Sequence, residues 1–283
     1  MRPTRPALRY HGGKYRLADW VISYFPAHRI YTEAYCGAAS VLLAKSRAYS
    51  EVINDLNEDV VNLFRVLRDP CSAKDLANLL RMTPYARAEF EGASLPSPDP
   101  LEAARRLIVR SFMGFGSAAS NPLHDTGFRS NSNRSGTTPA HDWMHFPDAI
   151  LTMTARLQGV VIENRPAVAL LQAHDSTETL HYVDPPYVHS TRCFKSRQSG
   201  QVYSHEMSDD NHRELAAVLA GCAGMVVLSG YPSGLYDELY AGWHCVQRKA
   251  TADGARPRTE CLWLNHTAAI ALRQKSFSFE EIR

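Results

Sequence analysis

The chain has 283 residues, of which 45% are apolar and 21% charged, and it carries a net charge of +2. That length suits one large domain, or a domain with an insert, of ordinary globular composition. No apolar run approaches a membrane span, and so small a net charge announces a nucleic-acid partner only if cations cluster locally.

The N-terminal stretch MRPTRPALRYHGGK has no apolar centre of the kind a signal peptide carries, so a cytoplasmic protein is expected. Arg29 to Glu33 reads as a strand, Ala38 to Ala48 as a helix, and Glu51 to Asn54 as a second strand. Asn57 then caps a helix with Glu58 and Asp59 in its first turn and Val60, Phe64 and Leu67 on one face, ending before Pro70. Strand and helix alternating at this spacing predict a parallel α/β sheet. From 71 to 113 the pattern is helical throughout, interrupted by the proline-rich linker at 94–100, and from 114 to 140 the apolar periodicity is lost. Alternation resumes with a strand at Val160–Ile162, a helix near 166–174, and a strand from Thr179 to Val183. A helix from Ser208, a strand at Met225–Leu228, and a pair of terminal strands near 243–249 and 260–264 complete the chain. The expected architecture is a sheet domain formed by 1–69 and 146–283, interrupted by a helical module at 70–145. The six cysteines (Cys36, Cys71, Cys193, Cys222, Cys245, Cys261) are scattered with no C-x-x-C pair, which argues against a zinc site or a disulfide framework.

The stretch with the most chemistry is Tyr182-Val183-Asp184-Pro185-Pro186-Tyr187 at the end of an apolar strand. Two prolines hold the backbone rigid, so the Asp184 carboxylate, the Pro185 carbonyl and the Tyr187 ring are presented together. An amino group on a planar heterocycle finds there two acceptors and a stacking face. A common turn after a strand is the plain alternative. Three N-terminal features suit a nucleoside-like cofactor. The small-residue turn containing Glu33, Tyr35 and Gly37 runs from a strand into a helix N-terminus. Asp55 closes the next strand about 20 residues after Glu33, where an acid binds ribose hydroxyls, although it equally suits a helix cap. His11-Gly12-Gly13-Lys14 sets flexible backbone beside a lysine. There is no G-x-G-x-x-G, and no Ser or Thr follows Lys14, which disfavours a dinucleotide and a nucleoside triphosphate.

Taken in order, Leu8 to Lys14, Glu33 to Val41, Val52 to Asp55, Asp184 to Tyr187, Ser229-Gly230-Tyr231 and Arg258 to Trp263 resemble the DNA adenine methylase family, the D12 class of D-P-P-Y N6-adenine methyltransferases. The resemblance implies a Rossmann-like methyltransferase sheet, mostly parallel with a reversed terminal strand, an inserted target-recognition module, and a bacterial or phage-encoded enzyme. It also implies S-adenosylmethionine as methyl donor, with Tyr10, Lys14, Asp55 and Asp184 at cofactor positions, Lys14 meeting the methionine carboxylate and Asp55 the ribose. Two departures stand out. Ala38 and Ala39 replace glycines, alanine being suited to helical positions, and leave Gly37 as the only glycine of that turn. Asn164-Arg165-Pro166 lacks the acid that relatives place after the third strand.

Under this reading the target adenine is flipped from double-stranded DNA, and Asp184 and the Pro185 carbonyl accept its amino hydrogens while Tyr187 stacks. Transfer is direct and in-line, and no metal is required. Arg106 and Arg110, four apart on one helix face, suit phosphates, and Arg129, Asn131, Asn133 and Arg134 suit guanine and adenine edges. Arg192, Lys195 and Arg197 follow the catalytic turn as further DNA contacts, and Tyr203-Ser204-His205 either closes over the site or packs. Three other readings stay open: an amino methyltransferase for cytosine N4 or RNA, a DNA-binding protein with impaired catalysis, and a metabolic Rossmann enzyme. Asp rather than Ser or Asn at the head of the tetrapeptide speaks for adenine. Nothing in the sequence sets the oligomeric state.

Overall fold

A computed structural model describes residues 2–116, 126–130, 136–191, 205–252 and 256–280. Seven strands form one sheet: β1 (Ile30–Glu33), β2 (Ser50–Asn54), β3 (Val160–Glu163), β4 (Thr179–Val183), β5 (Met225–Gly230), β6 (His244–Ala252) and β7 (Arg256–Leu264). Their order is β3-β2-β1-β4-β5-β7-β6. The first five are mutually parallel, whereas β7 runs antiparallel to both β5 and β6. The reversed strand therefore lies inside the edge, between β5 and the outermost β6. β4 and β5 are buried along their whole length, as expected of parallel strands covered on both faces. Alternate residues serve two separate cores. Tyr31, Ile53, Leu180, Tyr182 and Val227 point to one face; Val52, Val183, Val226 and Leu228 point to the other.

The first face is covered by α1 (Ala18–Ser23), α2 (Ser40–Ala44), α3 (Glu58–Arg68), α4 (Pro70–Met82), α5 (Arg87–Gly92), α6 (Pro100–Met113), α7 (Pro139–Met144) and α8 (Phe146–Leu157). The second is covered by α9 (Ala167–His174), α10 (Asp209–Ala220) and α11 (Gly234–Leu239), and α12 (His266–Glu280) follows β7 and packs against β5. Local chemistry fixes several helix starts. Asn57 accepts the Asp59 N–H at 3.0 Å to cap α3, and Ser208 and Asn211 form a reciprocal capping box on α10.

Three differences from the sequence reading have physical causes. α2 stops at Ala44 because Lys45 turns inward, where its Nζ meets Glu51 at 2.7 Å and Glu51 in turn receives Arg156 at 2.6 and 2.9 Å. α11 spans only Gly234–Leu239 and α12 has no strongly apolar face, so neither is expected from sequence, whereas α8 carries a regular apolar face of Phe146, Ala149, Ile150, Met153 and Leu157 that its periodicity does show. The helices expected as a separate module share a core with the sheet: Leu76, Leu80, Leu107 and Ile108 belong to the buried cluster that contains Tyr31 and Ile53. Among the described residues no helix is long and apolar enough to cross a membrane.

Candidate active site

The order of the parallel strands reverses between β1 and β4, and at such a switch point the loops after the strands part to leave a crevice at their carboxyl ends. Three of those loops carry residues singled out from sequence. β1 ends in Glu33 and the turn to α2, β2 ends at Asn54-Asp55, and β4 ends at Asp184. A cavity of about 310 Å³ occupies the crevice, and all nine residues assigned to cofactor binding line it, from Tyr10 and the Gly12–Lys14 turn through Glu33, Tyr35 and Gly37 to Asp55 and Asp184.

The turn after β1 is built around Gly37. Its φ of +46° lies in the left-handed region, and a Cβ placed there would come within 2.9 Å of the Tyr10 ring. Its N–H donates to Asp55 Oδ2 at 2.8 Å, while Asp55 Oδ1 accepts from Asn57 N–H at 2.9 Å. Asp55 is therefore a helix-start acceptor and a cavity wall at once, and its carboxylate retains acceptor capacity beyond these bonds. Ala39 also adopts a positive φ, +47°, so alanine does not occupy a helical position there as expected, and this conformation costs about 1–2 kcal/mol for a residue with a Cβ. On the far side, Pro166, Ala167 and Val168 form an apolar wall. Asn164 and Arg165 are used locally: the Asn164 side chain donates to the Asp55 carbonyl at 2.7 Å, and the Arg165 N–H donates to Asn54 at 3.0 Å.

Glu33 is 2% exposed, and its Oε2 accepts from the Tyr31 hydroxyl and the Leu42 N–H, each at 3.0 Å. Burial pushes its carboxyl up to about 8, only partly opposed by those two donors. Burial likewise raises Asp55 and drives Asp184 up to about 6, the latter against the pull of Lys14. Lys14 Nζ lies 2.9 Å from Asp184 Oδ1 and 3.4 Å from Glu260 Oε1, and it also donates to the Gly12 carbonyl at 2.8 Å. The lysine thus already faces two carboxylates of the protein itself, an engagement that a role in pairing with a cofactor carboxylate has to share.

The proline-stiffened tip divides two spaces. Asp184 and Pro186 line the first cavity, whereas Tyr187 lines a second of about 650 Å³. The Tyr187 hydroxyl donates to Glu260, its ring lies 4.8 Å from Lys14 Nζ, and it meets Tyr231 edge-on at 4.4 Å between ring centroids. Glu260 and Tyr231 were missed as site residues, although both fall within the stretches that carried the family resemblance.

The arginines chosen for DNA are placed differently. Arg110 is buried and donates to the Ala93 carbonyl at 2.7 Å and to Asp59 at 3.0 Å. Arg106 donates to Glu102 at 2.7 Å and to the carbonyls of Leu95 and Pro96 at 2.8 and 3.1 Å. Both brace the helices and are not presented to a phosphate, which corrects the expectation from their spacing. Arg129 follows a short bridge between Gly114 and Phe128, its N–H bonded to the Met113 carbonyl at 2.7 Å and its own carbonyl accepting from the Tyr85 hydroxyl at 2.7 Å. Asn131, Asn133, Arg134, Arg192, Lys195, Arg197, Tyr203 and Ser204 lie outside the described residues, while His205 lines the first cavity. At the opposite end of β4, ligand atoms of Asp175, His181 and Cys222 lie within 4.8 Å of one another. Asp175 already accepts from the N–H groups of Ala223 and Gly224 at 2.8 and 2.9 Å, and its contact with His181 completes a local structural tie.

Comparison with known proteins agrees with this geometry. The description "D12 class N6 adenine-specific DNA methyltransferase" matches residues 10–252. The chain belongs to that family. A DNA adenine methylase from Serratia marcescens is 35% identical over 69 residues, covering 24% of this chain and 25% of the relative. The chain thus aligns with about a quarter of that relative's length.

Proposed function

We propose that this chain transfers a methyl group from S-adenosylmethionine to the N6 amino group of an adenine extruded from double-stranded DNA. The observation that carries the reading is the place of Asp184, on the partition between a cavity rich in carboxylates and one rich in cations, with Lys14 shared by both. Membership of the D12 class supports the substrate and the reaction.

The donor set of the first cavity fits such a cofactor. Asp55, Asp184, Glu206 and Glu214 face a space in which Lys14 is the only lysine or arginine among the described residues, so a ligand bearing a sulfonium and an ammonium group meets opposite charge. When bound, S-adenosylmethionine supplies an electrophilic methyl group on a positively charged sulfur. The Gly37 turn lets a ligand approach the backbone closely, Asp55 offers its remaining lone pairs to hydroxyls, and Pro166, Ala167 and Val168 offer an apolar face to a flat ring.

On the other side of the partition, Tyr187 provides a stacking surface and Asp184 and the Pro185 carbonyl accept the two amino hydrogens. Both acceptors draw the nitrogen away from conjugation with its ring, which exposes the lone pair. Holding the nitrogen in this orientation accounts for most of the acceleration. Asp184 is ionised at neutral pH, and its carboxyl at about 6 makes it basic enough to take the proton the nitrogen sheds once methylated.

The test is direct. Purified protein is incubated with methyl-labelled S-adenosylmethionine and unmethylated duplex DNA, and the nucleosides are identified by mass spectrometry. N6-methyladenine is expected; N4-methylcytosine alone, or no incorporation, overturns the reading.

A further inference from the structure

The second cavity points to a DNA-gripping surface away from the helices that the sequence favoured. Among the described residues six cations line it, Arg9, Lys14, Arg16, Arg248, Lys249 and Arg258, against a single carboxylate, Glu260. That excess is local, because the whole chain holds 31 basic and 29 acidic side chains. Lys14 and Glu260 are close enough to offset each other at 3.4 Å, which leaves five positive charges from two distant stretches, the N-terminal segment and the β6–β7 hairpin.

Strand register decides where the hairpin charges point. Arg248 pairs with Glu260 and Ala250 with Arg258, so Arg248 and Arg258 rise from the face that carries Glu260 to Lys14. The Arg258 guanidinium lies 5.8 Å from the Tyr231 ring, and Tyr231 touches Tyr187. A path of aromatic and cationic groups therefore leads from the strand tip to the hairpin. Arg16 and Arg248 are exposed, and their side chains have no hydrogen-bond or ion-pair partner among the described residues.

We propose that the β6–β7 hairpin and the N-terminal segment grip the sugar–phosphate backbone beside the extruded base, with Arg16 and Arg248 as phosphate contacts. The inference rests on the DNA methyltransferase reading. A nucleotide swung into a pocket at Tyr187 leaves its flanking phosphates at the cavity mouth, and the cations there come from these two stretches. Contacts of this kind fix position without reading sequence.

The experiment measures duplex DNA affinity across a salt series for the wild type, for R16A, R248A and the double variant, and for R81A, whose arginine is tied to Asp148 on α8. Cofactor affinity is measured on each by calorimetry. The double variant is expected to weaken binding by the same factor on unrelated sequences and to lower the slope of log affinity against log salt by about 2, with cofactor affinity unchanged. Wild-type affinity and slope in a double variant that still binds cofactor overturn the proposal, as does an equal loss in R81A. A wild type that binds cofactor but neither binds nor methylates DNA sinks the underlying reading and this proposal with it.

Discussion

The two cavities meeting at Lys14 share a wall of six residues, Tyr10 to Lys14 and Ser40, yet their remaining linings carry opposite charge. One presents Glu33, Asp55, Asp184, Glu206 and Glu214, the other Arg9, Arg16, Arg248, Lys249 and Arg258. A nearly neutral chain has sorted its charges by tertiary structure into two fields of opposite sign on either side of one strand tip. Clefts with low-dielectric walls focus such fields, so the local sorting governs which ligand enters where, and the net charge does not. The carboxylates also differ among themselves. Burial leaves Glu33 mostly neutral at pH 7, with its carboxyl at about 8, while Asp184 at about 6 is mostly charged. The negative charge is thus concentrated near the partition and not at the end of β1.

The sharpest way to break this comparison is at the partition itself. Asp184→Asn keeps the shape and removes the charge, and methyl transfer should fall by about 10²–10³-fold, the usual cost of one misplaced electrostatic group. Thermal melting should change little, because Glu260 still faces Lys14. Normal turnover in this variant would remove Asp184 from the chemistry.

The pH profile follows from the same carboxylate. Its ionised form is the acceptor, so kcat/KM should rise with pH through about 6 and fall about tenfold per pH unit below it. Stability runs the other way for the raised acids. A carboxyl whose folded pKa lies above its unfolded value contributes fully below the unfolded value and loses that contribution as pH climbs to the folded one. For Glu33 the window extends from 4.5 to about 8. Glu33→Gln should therefore flatten the decline of unfolding free energy across that window, as read by denaturant titration at several pH values.

Arg110 separates structural cations from the cationic cleft. Arg110→Ala strips Asp59 and the Ala93 carbonyl of their partner and should cost about 2 kcal/mol of stability, below the full value for a buried pair because Asp59 is partly exposed. The salt dependence of DNA binding should stay as in the wild type, in contrast to Arg248→Ala. The smallest effect is expected at the turn after β1, which packs on the shared wall at Tyr10. Gly37→Ala meets both the positive φ and the Tyr10 ring at 2.9 Å and should lower stability by about 1–2 kcal/mol, with weaker cofactor binding by calorimetry.

Much of this protein was readable in its sequence because the signals are local. The D-P-P-Y tip, the caps at Asn57 and Ser208 and the apolar runs of β4 and β5 act over a few residues, and the alternation of strands and helices then confines them to one sheet edge. What only the tertiary structure decided involves residues far apart in the chain. The antiparallel register of β6 and β7 brings Glu260 to Lys14 and turns Arg248 toward the tip, and packing of α6 on α3 buries Arg110, which spacing alone placed on a solvated face. Sequence periodicity fixes which face of an element is apolar; the partner that a charged side chain meets across the fold depends on how those elements are laid together.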